Sequence, residues 1–232
     1  MDTTQNMDVL DSEESPIGMI WLRTRELVEE PRSVVTEIML DHMLLMSSCN
    51  TASEEALSRR ALELHPGEAL RVLVGGLGLG HTVKVLLDSK PVARVEVVEF
   101  LPVVIGWLER GLVPLAAKLG SDPRFSVRQG DVYGELAGTP TQKYDLALID
   151  VDHSPDEALG DESAAFYSEA GLQRAKQHLA PGGILGVWSY SESPHFEATL
   201  RRCFRDVQVE GVTFYNRLTT EEETNVLFFG RD

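Results

Sequence analysis

The sequence predicts an α/β fold, a mostly parallel seven-stranded sheet with an antiparallel closing strand, preceded by a small amino-terminal β-hairpin and helix. Three observations carry this reading. From residue 69 onward, short apolar runs alternate with helical segments, the pattern of a parallel sheet joined by right-handed crossovers. Glycine stands at 75, 76, 78 and 80, between the first of these strands and the helix after it. Acids close the next strands at Glu99, just beyond the third at Asp131, and at Asp150.

The 232 residues suffice for one domain with a full core and a small appendage. Residues 1–15 are acidic and polar and read as a disordered tail, 16–66 as a hairpin and helix, and 67–232 as the main nucleotide-binding type of domain. No apolar run approaches the ~20 residues of a membrane helix, and no basic-then-apolar leader opens the chain. A cytoplasmic protein that engages no membrane is expected. The formal net charge of −16 argues against a nucleic-acid partner, which needs a basic stripe. Two cysteines, Cys49 and Cys203, exclude a disulfide framework, and six scattered histidines lack ligand spacing, so no metal is expected.

Taken in order, residues 17–30 and 34–48 alternate apolar and polar positions around a turn at 30–33, which predicts a two-stranded hairpin. Thr51 and Glu54 have capping-box spacing ahead of Ala56, Leu57, Ala61 and Leu64, predicting a helix that ends near His65-Pro66-Gly67. Strands follow at 71–75, 94–99, 125–129, 145–150 and 184–188. Helices separate them after Gly80, over 103–119 with a break near 111–114, and over 164–179. A helix at 194–203 and an antiparallel pair at 207–213 and 225–229 complete the chain.

The chemistry concentrates where strands end. Gly75, Gly76, Gly78 and Gly80 permit a tight turn and close backbone approach to a ligand at a helix amino terminus. Glu99, 19 positions past Gly80, stands where a carboxylate accepts both hydroxyls of a ribose, a pairing that also fits NAD. Asp131 lies at the rim where an adenine would sit and tips the reading toward S-adenosylmethionine. Asp150 is a binding residue of the same edge, and Asp152 and His153 in the loop after it are candidate bases. Tyr190, Trp188 and Trp107 are either acceptor-pocket aromatics or core.

These segments resemble the spermidine synthase branch of the Rossmann-like class I S-adenosylmethionine-dependent methyltransferase fold. The carriers are Val72-Leu-Val-Gly-Gly-Leu-Gly-Leu-Gly80, Val97-Val-Glu99, Asp122-Pro-Arg124, Gly130-Asp131, Tyr144-Asp-Leu-Ala-Leu-Ile-Asp150, Leu179-Ala-Pro-Gly-Gly-Ile-Leu185 and Glu192-Ser-Pro194. The resemblance implies a nucleoside held by the glycine loop, Glu99 on its ribose, Asp131 near its adenine, and a homodimer. Four departures stand against it. Gly78 replaces the loop acid, His153 the second acid after the fourth strand, and Met46 a glutamine near the hairpin's end, while a Pro-Thr-Tyr segment is missing. The lost acids would hold cationic amines, and a buried ammonium without a carboxylate costs several kcal/mol.

Methyl transfer from S-adenosylmethionine to a small-molecule acceptor, an amine among the candidates, is therefore the expected activity, with His153 or Asp152 as base. Two alternatives remain: aminopropyl transfer from decarboxylated S-adenosylmethionine to a polyamine, and a nucleoside-binding module without catalysis.

Overall fold

The computed structural model describes residues 7–27, 32–151, 154–157 and 161–232, the side chains of 161 and 162 excepted. Four strands open the chain: β1 (Met7–Ser15), β2 (Gly18–Leu27), β3 (Ser33–Leu40) and β4 (Met43–Ser47). They pair antiparallel in sequence order.

Two expectations are corrected here. The hairpin is a four-stranded meander, because the run 34–48 folds back on itself at Asp41-His42, with Asp41 at a φ of 51° and its carboxylate accepting the Met19 amide. An aspartate tolerates this left-handed conformation at modest cost. Residues 7–15, expected to lie in a disordered tail, form β1. Asp11 anchors that strand to the main domain by accepting the Trp107 indole N–H at 2.8 Å and pairing with Arg110. Polar composition alone hides such a tie.

One face of this sheet is apolar, and Ile20, Leu22 and Ile38 join the core around Leu57 and Ala61. The other face buries Glu37 completely. Its two oxygens accept Arg23 and Arg25 from β2 at 2.6–3.0 Å. Glu37→Ala removes the buried carboxylate shared by two partly buried guanidinium groups and is expected to cost about 3 kcal/mol, measurable as a lower urea midpoint. Glu37→Asp is expected to recover part of the loss.

The main sheet has seven strands in the order β10-β11-β9-β8-β5-β6-β7. They are β5 (Leu70–Gly75), β6 (Val92–Glu99), β7 (Phe125–Gln129), β8 (Tyr144–Ile149), β9 (Leu179–Ser189), β10 (Asp206–Asn216) and β11 (Glu221–Arg231). The first five of these run parallel to one another, and β11 returns antiparallel to both β9 and β10. Helices α1 (Ala52–Leu64), α2 (His81–Asp88), α3 (Pro102–Glu109) and α4 (Ala116–Ser121) share one core with one face of the sheet. Helices α5 (Val132–Ala137), α6 (Asp161–Phe166), α7 (Glu169–Gln177) and α8 (Pro194–Cys203) share a second.

The break expected near 111–114 has a physical cause, and the single helix expected over 164–179 and the turn expected before the next strand are corrected. The helix over 103–119 divides at Gly111 (φ 75°), just before Pro114. The segment 164–179 divides at Ser168, whose hydroxyl caps α7 on the Gly171 amide. Pro181-Gly-Gly183 lies within β9 rather than before it. Leu179 pairs with Tyr144 and Ile184 with Leu146, so the intervening residues loop out of the ladder.

Strand order reverses between β5 and β8, and in open sheets of this kind the cleft at such a switch, outside the carboxyl ends, receives ligands. The small sheet and the start of α1 reach this edge. There Met46 touches the turn after β5, and Asn50 donates to Asn216 at the tip of the β10–β11 hairpin (2.6 Å).

Candidate functional site

The turn from β5 into α2 is built from glycines because the backbone leaves no alternative. Gly76, Gly78 and Gly80 have φ of 90°, 50° and 88°. A Cβ on Gly76 would lie 2.3 Å from the Asp150 carbonyl oxygen, so the chain leaving β5 passes the end of β8 this closely only because a glycine stands there.

Glu99 ends β6 beneath this turn with 7% of its surface exposed. One carboxylate oxygen accepts the Leu77 amide and the other the Leu101 amide, both at 2.8 Å. Burial raises its pKa, and the amides of Leu101, Leu77, Gly78 and Phe100 oppose that rise. The amides expected to face a ligand are thus largely engaged. Leu77 bonds to Glu99, Gly76 to the Val98 carbonyl, Gly80 to the Leu77 carbonyl, and Leu79 to the Met46 sulfur at 3.0 Å.

Asp131 stands on the neighbouring strand end, tied to Glu99 through the Gly130 amide and the Glu99 carbonyl (3.0 Å). Its carboxylate caps α5, one oxygen accepting Tyr133 N at 2.9 Å and the other Gly134 N at 3.1 Å. The sequence reading missed this structural duty, although an Asp directly before an apolar helix signals it.

Asp150, just after β8, accepts the Thr82 hydroxyl at 2.6 Å, and burial pushes its pKa up to about 6. Beside it lies a residue assigned only a capping role above. Glu54 in the first turn of α1 is 8% exposed and accepts the Ser53 hydroxyl at 2.8 Å. Burial first, and the Asp150 charge second, push it up to about 7. Ser58, one turn along α1 from Glu54, donates to the Thr82 carbonyl at 2.7 Å, so Thr82 links the elements carrying the two acids. Thr51 makes no side-chain cap, so the capping box expected there does not form. Nothing in the sequence pattern sets Glu54 apart from Glu55 or Glu63. Only tertiary packing buries it.

Asp152 and His153 lie outside the described residues. Next to them, Ser154 is buried, and Glu157 accepts the Tyr190 hydroxyl at 2.7 Å. Tyr190 is 41% exposed at this edge and Trp107 is core. Trp188 packs on the core, with its indole N–H buried and unpartnered among the described residues. Among the described residues no group of three His, Cys, Asp or Glu is placed to hold a metal ion, and no helix is long and apolar enough to cross a membrane.

Strand order and the glycine turn together define a class I methyltransferase-like fold. Comparison narrows the likeness within that class. The chain is 32% identical over 140 residues to a polyamine aminopropyltransferase of Streptomyces coelicolor, covering 58% of this chain and 24% of the relative. It is 26% identical over 202 residues to the polyamine aminopropyltransferase of Prochlorococcus marinus, covering 82% and 66%. In neither case does it span quite two thirds of the relative. The spermidine synthase of Thermotoga maritima superposes with a TM-score of 0.73 at 18% identity, over 97% of this chain and 72% of that one. No family model matches the chain.

These findings correct the expected methyl transfer, because the relatives are named polyamine aminopropyltransferases. Methyl transfer was preferred because Gly78 and His153 stand where acids were expected. In the fold, α1 brings a further carboxylate, Glu54, to Asp150.

Proposed function

We propose that the chain is a transferase of the aminopropyl type, using decarboxylated S-adenosylmethionine as donor and a cationic amine as acceptor. The observation that carries this reading is the acid pair of buried Glu54 and half-buried Asp150. Among the described residues no lysine, arginine or histidine pairs with either acid. Two desolvated carboxylates beside a ligand edge are stabilised by a cation, and an amine supplies one.

The residues fit the nucleoside half of the donor. A carboxylate oxygen accepts two hydrogen bonds; the short Leu77 and Leu101 bonds take one position on each oxygen of Glu99, and ribose hydroxyls would take the other in place of the weaker approaches of the Gly78 and Phe100 amides. Asp131 marks the adenine end, its cap leaving one acceptor position on each oxygen. The donor's sulfonium makes a neutral thioether the leaving group. The amine nitrogen forms a bond to the aminopropyl carbon as the carbon–sulfur bond breaks, and the amine sheds one proton. Asp150 and Glu54, with pKa values raised to about 6 and about 7, are matched to accept that proton near neutral pH.

The test is incubation of the purified protein with decarboxylated S-adenosylmethionine and a panel of linear diamines and triamines, read by mass spectrometry. Release of 5′-methylthioadenosine with an amine heavier by one aminopropyl group is expected. Donor binding without product on any amine would favour the binding-module alternative.

A further inference from the structure

The amides of the glycine turn are not held equally. Gly76, Leu77 and Gly80 donate to carbonyl or carboxylate oxygens, whereas Leu79 donates to a thioether, a weak acceptor. That thioether belongs to Met46, which arrives from the small sheet. On β4, Leu45 is an extra residue in the ladder, since Ile38 pairs with Met46 but Met39 with Leu44. Such bulges re-aim the side chain that follows. The Met46 side chain is half-buried, with Sδ 3.0 Å from Leu79 N. A Cβ built on Gly78 would lie 2.4 Å from Sδ and 2.9 Å from the methyl carbon. Met46 therefore fills the space over the turn that a side chain at 78 would take.

We propose that Met46 is a displaceable plug of the nucleoside pocket. It sits on the Leu79 amide when the pocket is empty and swings away when a ligand oxygen takes that amide. The proposal rests on the nucleoside reading given above. A flexible, unbranched thioether suits the task, because it packs in either position at little cost. Exchanging a sulfur acceptor for an oxygen also strengthens the bond to the amide. A seated plug lowers apparent affinity by the fraction of molecules in which it is open. Removing it therefore tightens binding without adding any contact.

The test uses the full chain and 5′-methylthioadenosine as probe, with methyl-labelled methionine for NMR and calorimetry for affinity. In the wild-type protein the Met46 methyl and the Leu79 amide resonances are expected to shift on saturation. Met46→Ala is expected to tighten binding roughly three- to tenfold. Met46→Leu, which keeps apolar packing against the small sheet but has no acceptor, is expected to move affinity in the same direction by a smaller factor. A saturated wild-type complex in which neither resonance moves overturns the plug and leaves the nucleoside reading intact. So does unchanged or weaker binding by both folded variants. Failure of wild type and both variants alike to bind the probe overturns the nucleoside reading and the plug together.

Discussion

Glu99→Gln is expected to weaken binding of 5′-methylthioadenosine by about a hundredfold and to cost about 2 kcal/mol of stability. The two carboxylate oxygens each receive a backbone amide, from Leu77 on one side and Leu101 on the other. A carboxamide of the same shape has one oxygen, so its NH2 must face one of those N–H groups. A buried donor left unsatisfied costs about 1–3 kcal/mol, and the side chain is only 7% exposed, so water offers little relief. The same change perturbs the glycine turn and removes an acceptor for a ribose hydroxyl. Together these correspond to about 2.7 kcal/mol, or two decades in Kd. Calorimetry and urea unfolding read the two effects separately. Unaltered affinity in a folded Glu99→Gln protein would remove Glu99 from the binding site.

The second large effect is a pH dependence centred on Glu54. Its folded pKa of about 7 lies above the ordinary 4.5, chiefly through burial and then through the Asp150 charge. As pH rises from about 4.5 to about 7, the unfolded chain loses this proton while the folded chain keeps it. The folded state then binds more protons, so stability falls across that window and stays lower above it. Glu54→Gln has no such proton. At pH 4 it is expected to match the wild type, and at pH 8 to exceed it by about 2–3 kcal/mol. Asp150, raised to about 6 by burial, adds a drop of the same sign and persists in the variant. The gain in stability accompanies a loss of function. With one buried charge fewer, acceptor amine is expected to bind about tenfold more weakly. Parallel stability–pH curves for the two proteins would show that Glu54 is not held in a raised state.

Much of the fold was legible because its signals are local. Short apolar runs broken by glycine and proline mark the parallel strands, and Gly76 is recognisable because only glycine fits against the Asp150 carbonyl. Strand-end positions for Glu99, Asp131 and Asp150 follow from counting. What the sequence concealed is tertiary. The hydrogen bonds of Asp11 to Trp107 and Arg110, nearly a hundred residues away, turn an acidic segment into a strand. Glu54 resembles any acid in a first helical turn until α1 packs against α2 and Asp150. Met46 reads as a lost glutamine, and its role over Gly78 depends on a bulge that alternation of apolar residues does not show. Asp131 was placed correctly at the strand end, yet its oxygens serve its own helix as well.

The most direct test of the central claim is a crystal structure of the protein grown with saturating 5′-methylthioadenosine. The adenosyl group is expected over residues 75–80, with both ribose hydroxyls on Glu99 and the adenine toward Asp131. A nucleoside bound elsewhere, or an empty turn with Glu99 and Met46 still on their amides at saturating ligand, would contradict it.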